Sequence, residues 1–218
     1  LGIAWEGAVR AAGPRVMALD DLGRVHDSDV LLDQNFYADP AARYAPDCAR
    51  ILLLGPRYAL LRPEFAAARV HVAPRHGDIG RMLLFMSGTD AGDATSVALD
   101  AVEKAGLAHL PMDVVIGAAH PAREAIMARC AANPAWTLHV QTMRMAELLA
   151  AADLAIGAGG SATWERCALG VPTLAVELAD NQREVLREGA EAGLLYTAGG
   201  APRAESLALH LRALVGNP

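Results

Sequence analysis

The chain has 218 residues, with 19 basic against 25 acidic side chains for a formal net charge of −6, 53% apolar residues and 20% charged. That length suits one large or two small domains, and the apolar content excludes a disordered chain. No apolar stretch approaches the roughly 18 residues of a membrane helix and no basic-then-apolar leader opens the chain, so a soluble, cytoplasmic protein is expected. A mildly acidic balance without long charge runs argues against nucleic acid as a partner, and leaves room for a small basic site for a phosphorylated ligand.

Taken in chain order, the pattern predicts a helix around Ile3 to Ala11 and then short apolar runs at Arg15 to Leu19, Val30 to Leu32 and Arg50 to Leu54, each bounded by turn residues. The stretch Val72 to Gly80, with Pro74, Gly77 and Gly80, interrupts the pattern. Beyond it come apolar runs at Met82 to Met86, Asp113 to Ile116, Thr137 to Val140, Leu154 to Ala158 and Thr173 to Val176. Helical patterns accompany them at Ala94 to Ala105, Ala122 to Ala131, Met145 to Ala151, Ala162 to Ala168 and Asn181 to Ala192. Leu207, Leu211, Leu214 and Val215 end the chain on one helix face. Runs of four to six apolar residues suit strands covered on both sides, and their alternation with helices predicts an α/β fold with a parallel sheet. Residues 77–218 read as a complete nucleotide-binding-type domain, and residues 1–76 as part of a domain. The chain opens at Leu1, which fits a fragment.

Cys48, Cys130 and Cys167 are too far apart for a zinc or disulfide pattern and are expected to be buried thiols. His71 and His76 flank Pro74 and so share no helix face, and the histidine spacings give no metal site. The motifs of serine hydrolases (GxSxG), zincins (HExxH) and P-loop enzymes (GxxxxGK[ST]) do not occur. No cofactor is expected.

In a parallel sheet the chemistry sits beyond the carboxyl ends of the strands. Ile156 to Glu165 runs from a strand into three glycines and then Ser161 and Thr163 at a helix start, an arrangement whose N–H groups suit a phosphate, with Ser161 as a simple helix cap for the plainer reading. Glu165 falls outside a capping box and is left to accept hydrogen bonds, for instance from ribose. The spacing Gly157-x-Gly159-x-x-Ala162 with Glu177 also matches a dinucleotide fingerprint, but it follows about three strand–helix units of its domain rather than opening it. A second loop, Met86 to Thr95, offers Thr89 and Asp90 to a phosphate or sugar, unless Asp93 merely caps a helix. A third, Glu177 to Gln182, offers Asn181 and Gln182 to a sugar, unless Asp180 or Asn181 is only a cap. Asp20-Asp21 and Asp33-Gln34-Asn35 close strands and read as turn formers, because adjacent strand residues face opposite ways.

LDDLGRVHDSDVLLDQN (Leu19 to Asn35), GPRYALLRPEF (Gly55 to Phe65), FMSGTDAGDAT (Phe85 to Thr95) and GAGGSATWERCALGVPTLAVELADNQ (Gly157 to Gln182) resemble, in this order, the UDP-sugar hydrolases of pseudaminic acid biosynthesis, which act on UDP-2,4-diacetamido-2,4,6-trideoxy-β-L-altropyranose. The last block is also similar to the carboxyl-terminal domain of the lipid-linked peptidoglycan N-acetylglucosaminyltransferase. The resemblance implies a glycosyltransferase-B architecture, with residues 1–76 from the later part of an amino-terminal Rossmann-like domain and residues 77–218 as the UDP-binding one. It places Gly160, Ser161, Ala162 and Thr163 at the diphosphate and Glu165 at the ribose. Gly88, Thr89 and Asp90 would line the opposite wall, the Thr142-Met143-Arg144 loop would meet the uracil, and Asn181 and Gln182 would approach the sugar or its phosphate. The implied reaction is attack of water on the anomeric carbon with loss of UDP, in surface polysaccharide biosynthesis. A UDP-sugar glycosyltransferase and a noncatalytic nucleotide-sugar binding module are the alternatives. The family's amino-terminal GxGHxxR loop, which carries its presumed base, does not occur here, so no catalytic residue is assigned and these 218 residues are expected to bind UDP with little hydrolysis. No specific protein partner is predicted.

Overall fold

A computed structural model describes residues 2–75 and 77–216. The chain divides into two compact units, the first up to Leu60 and the second from Leu61.

The first unit contains helix α1 (Ile3–Ala11) and strands β1 (Met17–Leu19), β2 (Ser28–Asp33) and β3 (Ala49–Leu54). The strands pair in parallel in the order β1-β2-β3, with Leu19 opposite Leu32 and Asp33 opposite Leu54. Leu31, Tyr44 and Cys48 form its core.

The second unit begins with α2 (Pro63–Arg69) and continues β4 (Met82–Phe85), α3 (Ala94–Lys104), β5 (Met112–Ile116), α4 (Arg123–Ala132), β6 (Trp136–Val140) and α5 (Met145–Ala151). It ends with β7 (Leu154–Ala158), α6 (Ala162–Ala168), β8 (Thr173–Val176), α7 (Gln182–Glu191), β9 (Tyr196–Thr197) and α8 (Ala204–Val215). All six strands are parallel and ordered β6-β5-β4-β7-β8-β9. Counted within the unit this is the 3-2-1-4-5-6 order of a doubly wound nucleotide-binding sheet.

Period-two alternation feeds both faces. Met82, Leu84, Met112, Val114, Ile116, Leu154 and Ile156 point to one side, where Ala98, Leu99 and Val102 of α3, Ile126 of α4 and Leu207 and Leu211 of α8 cover them. Leu83, Val115 and Ala155 point to the other, against Phe65 of α2, Met145, Leu148 and Leu149 of α5 and Leu169. Burying a Leu, Phe or Met side chain contributes roughly 1.5–3 kcal/mol, so strands covered twice are the most strongly specified part of the chain.

The eight expected strands are present, and so are the expected helices, within a few residues at their ends. Four short elements were not expected: α2, β9 and two single-turn 3-10 helices at Ala41–Arg43 and Pro56–Tyr58. The boundary needs correcting: the units divide after Leu60 rather than after residue 76. Phe65 is fully buried in the second unit's core, and the Arg75 guanidinium donates to the carbonyls of Leu149, Ala150, Ala152, Leu169 and Gly170. These are carbonyls left open where α5 and α6 end. Residues 61–75 are therefore built into the second unit; His76 lies outside the described residues. Cys48 and Cys130 are buried as expected, whereas Cys167 is only partly so.

Candidate functional site

The strand order fixes where a ligand fits. From β4 the chain leaves to α3 on one face of the sheet, and from the neighbouring β7 it leaves to α6 on the other. At such a switch point the two outgoing loops part and leave a crevice above the strand ends. The loops that flank it are residues 86–93 and 159–161. Both are among those singled out from the sequence.

The β7–α6 loop is shaped by what packs beneath it. A β-carbon on Gly157 would lie 2.5 Å from Arg166 Nη1 and 2.7 Å from the Phe85 carbonyl oxygen, and one on Gly159 would meet Leu186 at 2.7 Å. These two glycines answer to neighbouring protein atoms, not to a ligand. Gly160 differs, since its nearest neighbour would be Gln182 Nε2 at 3.7 Å. Ser161 is exposed, and its side chain makes no cap hydrogen bond, so the plain capping role does not hold. The N–H groups of Gly160 and Ser161 meet no backbone acceptor among the described residues. They are the donors available to an anion.

Thr163 corrects the expectation that it faces the diphosphate. It is buried, its N–H donates to the Gly160 carbonyl and its hydroxyl to the Ala158 carbonyl, 3.3 Å away. Ala162 is half-buried at the first turn of α6. Glu165 lies on α6 beside α2, with Arg62 Nη2 3.9 Å from its carboxylate, while Arg62 also pairs with Glu64 at 2.9 Å. Burial pushes the Glu165 carboxyl above its usual range, with Arg62 and Arg166 drawing it partly back. Its carboxylate makes no hydrogen bond within 3.5 Å among the described residues and can accept from a hydroxylated ligand.

Across the crevice, Gly88 and Thr89 are exposed and Asp90 is not. Asp90 accepts from the Ala94 and Thr95 N–H groups at 3.0 and 2.8 Å, from the Thr95 hydroxyl at 2.6 Å and from His120 Nε2 at 3.0 Å. Because the Ala122 N–H donates to His120 Nδ1, the ring proton sits on Nε2. Burial would raise the Asp90 carboxyl, but the bonds from Thr95, His120 and Ala94 hold it below its usual value. Asp90 therefore closes the start of α3 instead of lining the crevice wall, with Asp93 capping Ser96 N–H beside it as its plainer reading had it. Asp90, Asp93 and His120 bring ligand-type atoms within 4.8 Å of one another, the one set among the described residues with the makings of a metal site. The internal hydrogen bonds already account for that set.

Of the remaining predicted residues, Gln182 comes closest to the loop: its Nε2 is near Gly160 while its Oε1 accepts from Leu178 N–H at 2.9 Å. Asn181 is exposed at the start of α7. Met143 and Arg144 are exposed after β6, with Arg144 bonded to Glu147. In the sheet β6 stands three places from β7, roughly 14 Å at 4.7–4.9 Å per strand, so the loop expected at the uracil follows a different strand from the loop expected at the diphosphate. The dinucleotide fingerprint fails on topology. It follows β7, the fourth strand of the unit, and Glu177 is tied to Arg183 at 2.8 Å. Sequence reasoning missed Arg62 and Arg166; the Arg-Pro-Glu run, with proline at a first helical turn, was the available signal for α2 and Arg62.

In the first unit, Asp20 and Asp33 close β1 and β2 and meet through the Tyr44 hydroxyl, 3.2 and 2.9 Å away. His26 adds a 2.8 Å contact with Glu6 on α1. All five side chains are buried.

No protein-family model matches the chain. It is 29% identical over 167 residues to the spore coat polysaccharide biosynthesis protein SpsG of Bacillus subtilis (strain 168), a match that covers 76% of this chain and 49% of that protein. The chain thus spans about half the length of the curated relative it matches. Among solved structures it resembles MurG of Acinetobacter baumannii, with a TM-score of 0.60, 18% identity and coverage of 96% of this chain and 60% of that one. It also resembles UGT89C1 of Arabidopsis thaliana, solved with UDP-L-rhamnose, with a TM-score of 0.60, 13% identity and coverage of 98% and 60%. The fold is of the glycosyltransferase-B kind. It was the architecture expected from the sequence blocks. No helix among the described residues is long and apolar enough to cross a membrane.

Proposed function

We propose that the second unit binds the UDP moiety of a nucleotide sugar, and that the chain belongs to a hydrolase which releases a diacetamido-trideoxy sugar from UDP in surface polysaccharide biosynthesis. The observation that carries this reading is the 159–161 loop at the switch point between β4 and β7, with the N–H groups of Gly160 and Ser161 open and Glu165 half-buried one turn further on. The four sequence blocks and the likeness to a spore coat polysaccharide protein support the same reading. The diphosphate would rest on the loop N–H groups and the ribose hydroxyls would donate to Glu165. As water attacks the anomeric carbon, negative charge gathers on the departing UDP, and fixed N–H donors stabilise that charge without reorganising. No side chain described here is assigned as the base for the water.

Titration calorimetry tests the binding half of the proposal. UDP should bind, and Glu165→Ala should weaken it by about 1–3 kcal/mol, the scale of hydrogen bonds to a charged acceptor. Equal affinity for both proteins would remove Glu165 from the site. For the chemistry, free sugar formed from UDP-sugar in water alone supports hydrolysis, whereas turnover only with an added acceptor would make the protein a transferase.

A further inference from the structure

The reading above leaves Arg166 unused. It is the bulkiest fully buried side chain described, on the inner side of α6, and its guanidinium has no acidic partner at salt-bridge distance among the described residues. One nitrogen, Nη2, donates to the Ala158 carbonyl at 2.7 Å and to the Thr163 hydroxyl at 3.0 Å, and Nε is buried with no hydrogen-bond partner. The head lies where the two central strands end: a β-carbon on Gly157 would touch both its Nη1 and the carbonyl of Phe85, the last residue of β4. Burial lowers the guanidinium only to about 10, so it stays charged at neutral pH.

A buried charge without a salt-bridge partner is costly to a fold, even with Glu165 nearby to offset part of it, and neutral side chains of similar size usually serve packing better. Departures of this kind concentrate at functional sites. Here the cation lies under the crevice and fastens the last carbonyl of β7 to the first turn of α6, the two ends of the loop that presents the open N–H groups.

We infer that Arg166 is the positioning residue for the diphosphate: it fixes the 159–161 loop in its donor-presenting form and supplies, from below, the positive charge that selects a diphosphate over a neutral ligand. This rests on the reading of that loop as the UDP seat. Its substrate-class consequence is that the preference for UDP over uridine comes from the two phosphates and depends on the Arg166 charge.

The test compares UDP, uridine and inorganic pyrophosphate by calorimetry on the whole chain and on two variants, with thermal melts alongside. Arg166→Gln keeps a hydrogen-bond donor without the charge, and Arg166→Lys keeps the charge without the fork. The expected result is a UDP-to-uridine affinity ratio that falls at least tenfold in Arg166→Gln and recovers to within about threefold in Arg166→Lys, with pyrophosphate following UDP. A purely structural strut would lower the melting temperature of both variants and leave the ratio unchanged, and that outcome overturns the inference. If either variant fails to fold, Thr163→Val, which removes the hydroxyl that holds Arg166 Nη2 while keeping the side-chain volume, decides: a UDP-to-uridine ratio that falls at least threefold supports the inference, and an unchanged ratio overturns it. Failure of the unmodified chain to bind UDP and pyrophosphate would instead overturn the proposed function, and this inference with it.

Discussion

Gly117→Ala should destabilise the second unit by about 2–3 kcal/mol, lowering its melting temperature by roughly 5–10 °C, and should weaken UDP binding as well. Gly117 follows β5, where the new β-carbon would lie 1.7 Å from the Gly88 carbonyl oxygen and 2.8 Å from its carbonyl carbon. Those are backbone atoms, and they cannot swing aside as a flexible side chain would. The methyl group can be accommodated only by pushing residues 86–90 out of the crevice or by parting the ends of β4 and β5, which are paired from Met82–Met112 to Leu84–Val114. Gly92→Ala in the same β4–α3 loop is the control, because its β-carbon meets nothing within 4 Å and its melt should match that of the parent. A Gly117→Ala melt within 2 °C of the parent, on the order of 0.5–1 kcal/mol for a chain of this size, would show that the two loops are not locked together.

What could be read in the sequence follows from how local its causes are. The runs MLLF, MDVVI and LAIGA are strands because apolar residues at every position can be buried only between two helical layers, and each run holds that information in itself. The loops beyond β4 and β7 stood out for a similar reason, being small and polar after apolar runs. By contrast, α2 is seven residues long and opens on Pro63, too short for a helical period to declare itself. The inward turn of Thr163 against the outward turn of Ser161 depends on the rotation of a helix start, and Asp90 looked like a ligand contact because His120, its partner, is thirty residues away. Arg166 was hidden by the rule that charged helix residues face solvent. The glycines were legible as a loop but not in their cause, since Leu186 and Arg166 become neighbours only in the folded sheet.

Asp20 and Asp33 illustrate the same limit and carry the second large effect. Neither is adjacent to the other in sequence, but the register Leu19 opposite Leu32 makes the residues that follow, Asp20 and Asp33, level at the ends of neighbouring strands. Burial would raise both carboxyls. For Asp20 the Arg24 N–H and guanidinium, with help from Tyr44, win and bring it down to about 2 from an ordinary 3.8. For Asp33 burial wins over the Asn35 N–H and the Tyr44 hydroxyl, and the neighbouring Asp20 charge adds to the rise. The Tyr44 hydroxyl has one proton for two acceptors, so the pair cannot be equally served.

Because the folded protein holds Asp20 ionised more strongly than the unfolded chain does, acid protonates the unfolded chain first, and the stabilisation is full above pH about 5 and drains as pH falls through about 2. Lowering from 3.8 to about 2 corresponds to about 2 kcal/mol at neutral pH. Asp20→Asn should therefore be less stable than the parent by about that amount in denaturant titrations at pH 7 and pH 5, and by only about half as much at pH 3. A stability gap that stays constant down to pH 3 would mean that Asp20 acts through its shape and hydrogen bonds rather than its charge. In that case the Arg24–Asp20 pair would not be what holds the turn after β1.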